Sequence, residues 1–524
     1  MSPDVRLAEP AELAGRLLDD TGPPIDEWAV AALLESHGIR DLDAREHYRE
    51  ADVFALARRV HGLAQELDRG SPIVAPVRAT LRRLPISRLL VRGGFFVVAL
   101  AVQLISLLVV GYSQWASLHF TRAEASTIAV AAAASFVVTA GFGGALGYLS
   151  PYFSEPGRYR LTRQIVFIIF GLGLCAVGIG AVALYLLGSY VVSWPGALLR
   201  AGLGYYALFA ISTLSISMLY VLREYATMLG TSIVGILVAV GVHEGLSAPI
   251  RVAQWAGIGA SIVLALGVGV VGLNRLAGRT TGVERFARLP RRWTLTRISA
   301  PHFIFATLYF TIVVADRIVA WSAGHHPLPV WFQTPYELGL DWALVSVVLG
   351  LAFLEITVAA LARLLETVQD DYLAQDMTAL NRVFMRFWRR HIGITLILLV
   401  AGAAFAFGGV KALGALGMHG LPDRLGDPVT QRVFALGVSG YILLAIGLSN
   451  GIFLFSMGRP WLVVRAIAVA LAVSLAVGIA LSRTHAYWWS AAGTLAGGLV
   501  FAVLTGLATW GTLRRGDLHL YAAY

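Results

Sequence analysis

The residues best able to do chemistry are ionisable side chains inside two apolar, helix-length segments between residues 300 and 367. Asp316 and Arg317 lie in the first segment, while Asp341 opens the second and Glu355 lies within it. An ionisable group in hydrocarbon costs roughly 2.5 kcal/mol or more even on lenient insertion scales, so it usually marks a transport pathway or a buried pair. The chemistry expected here is therefore binding of a proton, a cation or a polar substrate.

The spacing of these residues predicts which of them share a helix face. His302, Tyr309 and Asp316 are seven residues apart, which is nearly two helical turns, so all three lie on one face of a helix. If that helix enters from the cytoplasm, His302 lies near the inner surface and Asp316 about 21 Å further out. Asp341 and Glu355, fourteen apart, share a face of the next helix, with Asp341 near the outer surface and Glu355 in the inner half.

Two interpretations of these positions are open. In the functional one, Asp316 and Glu355 face a water-filled cavity and bind a coupling cation or proton, or hydrogen-bond a substrate rich in hydroxyl or amine groups. In the structural one, Asp316 pairs with an arginine in a buried bridge, and Glu355 reaches a hydroxyl or Arg363. Aromatic residues at the span ends are either interfacial anchors or platforms for sugar rings. The candidate substrate- or coupling-ion-binding residues are Asp316, Arg317, Glu355, Asp341, Tyr309 and Trp321.

The composition excludes an ordinary soluble protein. Of 524 residues, 57% are hydrophobic and 14% are charged, whereas soluble domains carry about 25% charged residues. Apolar runs of about 20 residues, long enough to cross a bilayer as helices, recur from Phe95 onward. We predict an all-α, polytopic membrane protein with about twelve transmembrane helices in two six-helix bundles, near 94–116, 125–149, 164–190, 198–222, 226–246, 252–274, 300–322, 340–365, 391–413, 432–456, 459–481 and 487–512.

The charge pattern predicts orientation rather than a nucleic-acid partner. The net charge is +10 and comes almost entirely from arginines in the loops beside the spans, as the positive-inside rule requires. Arginines concentrate in alternate loops, which places both termini in the cytoplasm and the chain in the inner (plasma) membrane. The single cysteine, Cys175, excludes a disulfide framework and a cysteine-based metal site.

The same pattern divides the chain. We predict an acidic, helical cytoplasmic region at 1–92, a first bundle at 93–274, a basic cytoplasmic linker at 275–299, a second bundle at 300–513 and a cytoplasmic tail at 514–524. No signal peptide is expected, because no early apolar core follows a basic start. The region 1–92 is either a docking module for a cytoplasmic synthase or a solubilising cap on the basic inner loops.

The enzyme motifs that the sequence suggests are incomplete. The lysine Lys411 is followed by Ala412, so it cannot complete a Walker A loop. His243-Glu244 lacks the second histidine of a metalloprotease motif, and the first outer loop offers Glu124 as its only carboxylate. We therefore expect no catalytic site, no cofactor and no metal.

Residues 300–390 resemble a known family. The run ADRIVAW at 315–321, TPYE at 334–337 and LET at 365–367, with Tyr372 and Phe384 beyond them, is similar to the second half of the Pel exopolysaccharide transporter family (PelG), of the multidrug, oligosaccharidyl-lipid and polysaccharide (MOP) exporter superfamily. The acidic region 1–92 is an addition relative to that family. The resemblance implies two bundles around an alternately opening cavity, export of a polysaccharide or lipid-linked glycan, and synthase and accessory membrane proteins as partners.

Three functions follow as hypotheses. The first is export of a polysaccharide or its lipid-linked precursor by alternating access. The second is a cation-coupled multidrug or small-solute antiporter, and the third a membrane glycosyltransferase or ligase. A wide cavity lined with cationic and aromatic groups would favour the glycan, whereas a narrow site centred on buried carboxylates would favour the antiporter.

Overall fold

The computed structural model confirms the all-α class. The described residues form helices joined by short loops and contain no strand. The residues that the structure describes are 9–21, 26–36, 38–68, 94–95, 98–99, 101–103, 105–107, 109–154, 157–279, 289–324, 326–371, 377–415 and 424–516.

The N-terminal region is helical, as the sequence predicts, and its described residues form four short helices. They are α1 (Pro10–Thr21), α2 (Glu27–Ser36), α3 (Asp41–Tyr48) and α4 (Val53–Asp68). Their apolar faces meet in a core of their own that includes Leu34, Leu56 and Val60. This part of the chain therefore has its own hydrophobic core, apart from the cores of the membrane spans.

Eleven helices within the described residues are long and apolar enough to cross a membrane, so the chain is a multi-pass membrane protein. The first span predicted, 94–116, falls partly on residues outside the described set. The eleven are α5 (Arg122–Ser154), α6 (Tyr159–Leu186), α7 (Gly196–Val221), α8 (Tyr225–Val240), α9 (Ile250–Gly278), α10 (Arg292–Trp321), α11 (Thr334–Asp371), α12 (Met377–Ala415), α13 (Pro428–Ser456), α14 (Pro460–Thr484) and α15 (Ala491–Leu513), with π-helical turns at Leu187–Val191 and Gly241–Gly245 extending α6 and α8.

The buried apolar side chains of the spans form three clusters. In the second half of the spans, α10–α15, buried residues from Ile312 on α10 to Phe501 on α15 form one cluster. In the first half, α5–α9, two clusters cover the faces of α5, α6, α7 and α9, and one of them also includes Leu295 of α10. The two halves therefore share part of their core, and the division into two bundles stays a prediction.

The halves meet where α5 packs closely on α10. A Cβ added at Gly141 would lie 2.6 Å from the Thr307 hydroxyl, and one at Gly144 would lie 2.6 Å from the carbonyl oxygen of His302. Glycines at such positions allow two helix backbones to approach closely. Beside this contact the His302 ring stacks on Tyr148 of α5, with ring centroids 3.9 Å apart.

The loop at 322–333 is tied to the helices around it. The backbone N–H of Trp331 donates to the carbonyl of Trp321, at 2.9 Å, and that of Phe332 donates to the Ser126 hydroxyl on α5, at 2.8 Å. Pro335 lies in the first turn of α11, where its missing N–H breaks no helical bond. The C-terminal end of α10 and the first turns of α11 are thus held side by side.

Candidate functional site

An ion-pair cluster joins the C-terminal end of α10 to the first turns of α11. The guanidinium of Arg317 forms one salt bridge with Glu337 and a second, at 2.8 Å, with Asp341. Because Glu337 and Asp341 are four residues apart, one face of α11 presents both carboxylates to the same arginine. The Glu337 side chain is buried, that of Arg317 is 14% exposed, and that of Asp341 is 61% exposed. The cluster therefore reaches from the protein interior to its surface.

The neighbouring carboxylate, Asp316, is bound differently. It is 2% exposed, and its Oδ2 accepts a hydrogen bond of 2.8 Å from the hydroxyl of Thr494, on the first turn of α15. Its Oδ1 accepts from the backbone N–H of Arg317, also at 2.8 Å. Among the described residues Asp316 forms no ion pair, so the arginine beside it in sequence pairs with the α11 carboxylates instead.

Trp321 belongs to the same cluster. Its indole N–H donates to Oε1 of Glu337 at 2.7 Å, and its ring stacks on Phe332 with centroids 6.4 Å apart. The side chain is 2% exposed. The indole N–H of Trp321 and the guanidinium of Arg317 therefore both orient the carboxylate of Glu337.

Three hydroxyl groups surround these charges without hydrogen bonds of good geometry. The hydroxyl oxygens of Tyr336, Tyr441 and Ser490 are buried, and none makes a hydrogen bond of good geometry within the described part of the chain. Tyr336 nevertheless makes looser polar contacts with Asp316 and Ser490, and Tyr441 with Arg317. Buried polar groups normally find partners. These hydroxyls therefore extend the polar surroundings of the charge cluster.

The formal charges of the cluster do not balance. Three carboxylates, Asp316, Glu337 and Asp341, face one guanidinium, that of Arg317. Uncompensated charge is costly in a low-dielectric interior, and the buried part of the cluster holds two carboxylates, those of Asp316 and Glu337, for the one guanidinium. Among the residues that the structure describes, no three His, Cys, Asp or Glu side chains converge as a metal site would require.

The remaining predicted residues lie elsewhere. Tyr309 contributes to an aromatic group on α10, with its ring 5.7 Å from Phe305 and 6.4 Å from Phe501 between centroids. His302 is sandwiched between Tyr148 and Phe455. Glu355 is on α11, and its side chain lies outside the described residues. The shared helix face predicted for His302, Tyr309 and Asp316 therefore carries three different environments.

Sequence reasoning missed part of the cluster. Glu337 precedes the predicted start of the eighth span at 340, although its spacing of four from Asp341 places both on one helix face. That spacing was the available signal. Thr494 and Tyr441 approach Asp316 from α15 and α13, more than a hundred positions along the chain, and no local pattern in the sequence indicates those contacts.

Solved structures share this architecture. A mutant of the Vibrio cholerae MATE transporter VcmN is similar with a TM-score of 0.60 at 16% identity, covering 84% of this chain and 99% of that chain. The fold is that of the MATE transporters. The eukaryotic MATE transporter AtDTX14 gives a TM-score of 0.53 at 14% identity, over 85% of this chain and 99% of its own.

A MOP superfamily transporter from Pyrococcus furiosus is also similar, with a TM-score of 0.55 at 15% identity, covering 86% of this chain and 99% of that chain. No protein-family model and no curated protein matches the sequence. The fold of the MATE transporters agrees with the predicted all-α, multi-pass architecture, whereas the specific resemblance to the Pel family is not confirmed by these comparisons.

Proposed function

We propose that this protein is a cation-coupled transporter that moves its substrate by alternating access, with the coupling site at Asp316, Arg317, Glu337 and Asp341. The MATE fold supports this proposal, because its solved examples are transporters. The observation that carries it is the buried excess of carboxylates over guanidinium in the second half. A site centred on buried carboxylates favours the antiporter among the hypotheses drawn from the sequence.

Coupling requires a group whose charge differs between two states of the cycle. When Asp316 or Glu337 holds a proton or a small cation, the cluster approaches neutrality and is stable away from water. When that ion leaves, the remaining negative charge favours a water-exposed arrangement. The ion and an outgoing substrate would thus bias the same two-state equilibrium in opposite directions. Arginine asymmetry supports a plasma-membrane orientation with both termini in the cytoplasm.

A transport assay tests this proposal. In proteoliposomes loaded with ethidium, an imposed gradient of protons or of sodium ions is expected to drive ethidium transport. Asp316→Asn and Glu337→Gln keep the side-chain size and remove the charge. We expect each to reduce gradient-driven transport, because an amide cannot take up the proton or cation that couples transport to the gradient. The loss should be about tenfold or more, since a charge-assisted interaction is worth roughly 1.5–3 kcal/mol.

Glu124→Gln is the matched control, since Glu124 forms an ion pair with Arg251 on the first half, at 3.7 Å. It should transport at the wild-type rate. Wild-type transport that ignores both gradients, or full gradient dependence in both cluster variants, would contradict the proposal.

Polysaccharide export is the second candidate. The guanidinium of Arg432 lies over the Trp488 ring at 5.4 Å, and Trp488 stacks on Trp489 with centroids 4.8 Å apart. This cationic and aromatic surface adjoins Ser490 of the charge cluster and is of the kind that would stack on sugar rings. Deleting the gene and analysing the sugars that no longer reach the cell surface separates the two candidates: loss of a polymer favours the glycan.

A further inference from the structure

A groove opens between α6 and α9 in the first half, far in the sequence from the charge cluster. The groove is shallow and open along one side, with a volume of about 490 Å³. The lining residues are Arg163, Gln164, Phe167, Ile168, Asn274 and Leu289. Every one of these residues is neutral or basic, so the groove offers a single positive charge with no carboxylate in its lining.

The lining changes from polar to apolar along one helix face. Arg163 and Gln164 occupy one turn of α6, and Phe167 and Ile168 follow four residues later, about 6 Å further along the axis. Phe167 is 37% and Ile168 48% exposed, on a span whose outward residues face lipid. The groove therefore has a polar end and a hydrocarbon end.

The polar end is built to bind an anion. The Arg163 guanidinium donates to Oδ1 of Asn274 on α9, at 3.1 Å, which fixes its position and leaves its other N–H donors for a ligand. Among the described residues Arg163 forms no ion pair. Arg275 and Arg279 are exposed at the same end of α9 and add to the positive potential.

We infer that this groove binds an anionic phospholipid, with the phosphate on Arg163 and an acyl chain along Phe167 and Ile168. A planar guanidinium matches phosphate geometry, and basic pockets between transmembrane helices on the cytoplasmic side are suited to anionic lipid headgroups. The predicted orientation places this end of α6 at the cytoplasmic surface. The inference requires membrane insertion alone and is independent of the transported substrate.

Native mass spectrometry of the full chain in detergent tests it, with phosphatidylglycerol and phosphatidylcholine of identical acyl chains. The wild type should retain phosphatidylglycerol in preference to phosphatidylcholine. Arg163→Gln should lower its retention about fivefold, the factor expected for one arginine at a membrane surface. Gln164→Glu, at an exposed position where folding is unaffected, should lower it at least as much because it places a carboxylate in the groove.

Arg465→Gln is the matched control. Arg465 is the sixth residue of α14, as Arg163 is the fifth of α6, and it lies outside the groove lining. Its substitution should leave retention unchanged. Three results would overturn the inference. The first is an equal loss of phosphatidylglycerol retention in Arg163→Gln and Arg465→Gln, and the second is no loss in either groove variant. The third is equal retention of the two lipids by the wild type. Displacement of the lipid by excess glycerol 1-phosphate would do so too, since it would show a phosphate site without an acyl-chain component.

Discussion

Arg317→Met is expected to lower the free energy of unfolding by about 3–5 kcal/mol, the usual cost of breaking a buried ion pair by removing one partner. Glu337 is buried and would lose its guanidinium partner, and among the described residues the Trp321 indole would be its remaining donor. Asp341, which is 61% exposed, would be solvated by water. The loss therefore arises mainly from Glu337. Chemical unfolding in detergent micelles, followed by tryptophan fluorescence, measures it.

Two further variants isolate the cause of that loss. Asp341→Asn removes only the exposed partner and should cost about 0–1 kcal/mol. The double variant Arg317→Met with Glu337→Gln removes both buried charges, and it should recover most of the stability lost in the single variant. If the double variant is as unstable as Arg317→Met, the unpaired carboxylate is not the reason.

Gly144→Ala is expected to destabilise the contact between the two halves by about 1–3 kcal/mol, the typical cost of overpacking. The added Cβ would lie 2.6 Å from the His302 carbonyl oxygen and 2.7 Å from the Ala306 Cβ. Both obstacles belong to the close-packed α10 backbone and its Cβ, so neither can move aside as a long side chain would. Thermal unfolding of the purified protein measures the change.

Gly147→Ala is the matched control on the same helix, because a Cβ there meets no atom within 4 Å. It should leave stability unchanged or raise it by up to about 1 kcal/mol, since alanine favours helix over glycine. Equal behaviour of the two variants would show that the α5–α10 contact does not depend on the absence of a side chain at Gly144.

The architecture was predictable from the sequence because the bilayer imposes it. A span needs about 20 apolar residues, so apolar runs bounded by arginines mark the helices directly. The helix ends were predicted less well. Helix α10 begins at Arg292 and α11 at Thr334, eight and six residues before the predicted spans. The reason is that helices continue beyond the hydrocarbon region, where apolar and polar residues are mixed. The predicted span at 340–365 therefore left out Glu337, and its pairing with Arg317 was not predicted.

The site was predictable only in part. Asp316, Arg317 and Asp341 stood out because charge is costly in an apolar helix. Which of them pair depends on the rotation and tilt of α10 against α11, α13 and α15, which is set by packing across the second half. The sequence therefore indicated a site but not that Arg317 would bind the α11 carboxylates while Asp316 bonds to Thr494. Trp321 contacts Glu337 rather than serving as the interfacial anchor that its position at a span end indicates.

Infrared difference spectroscopy of the purified protein tests the coupling site most directly, because carboxylate vibrations change when a proton or cation binds. Spectra recorded between sodium-free and sodium buffers, and between two pH values, should contain a carboxyl band in the wild type and in Glu124→Gln. The band is expected to disappear in Asp316→Asn or Glu337→Gln. An identical band in all four proteins would place ion binding outside this cluster and contradict the account.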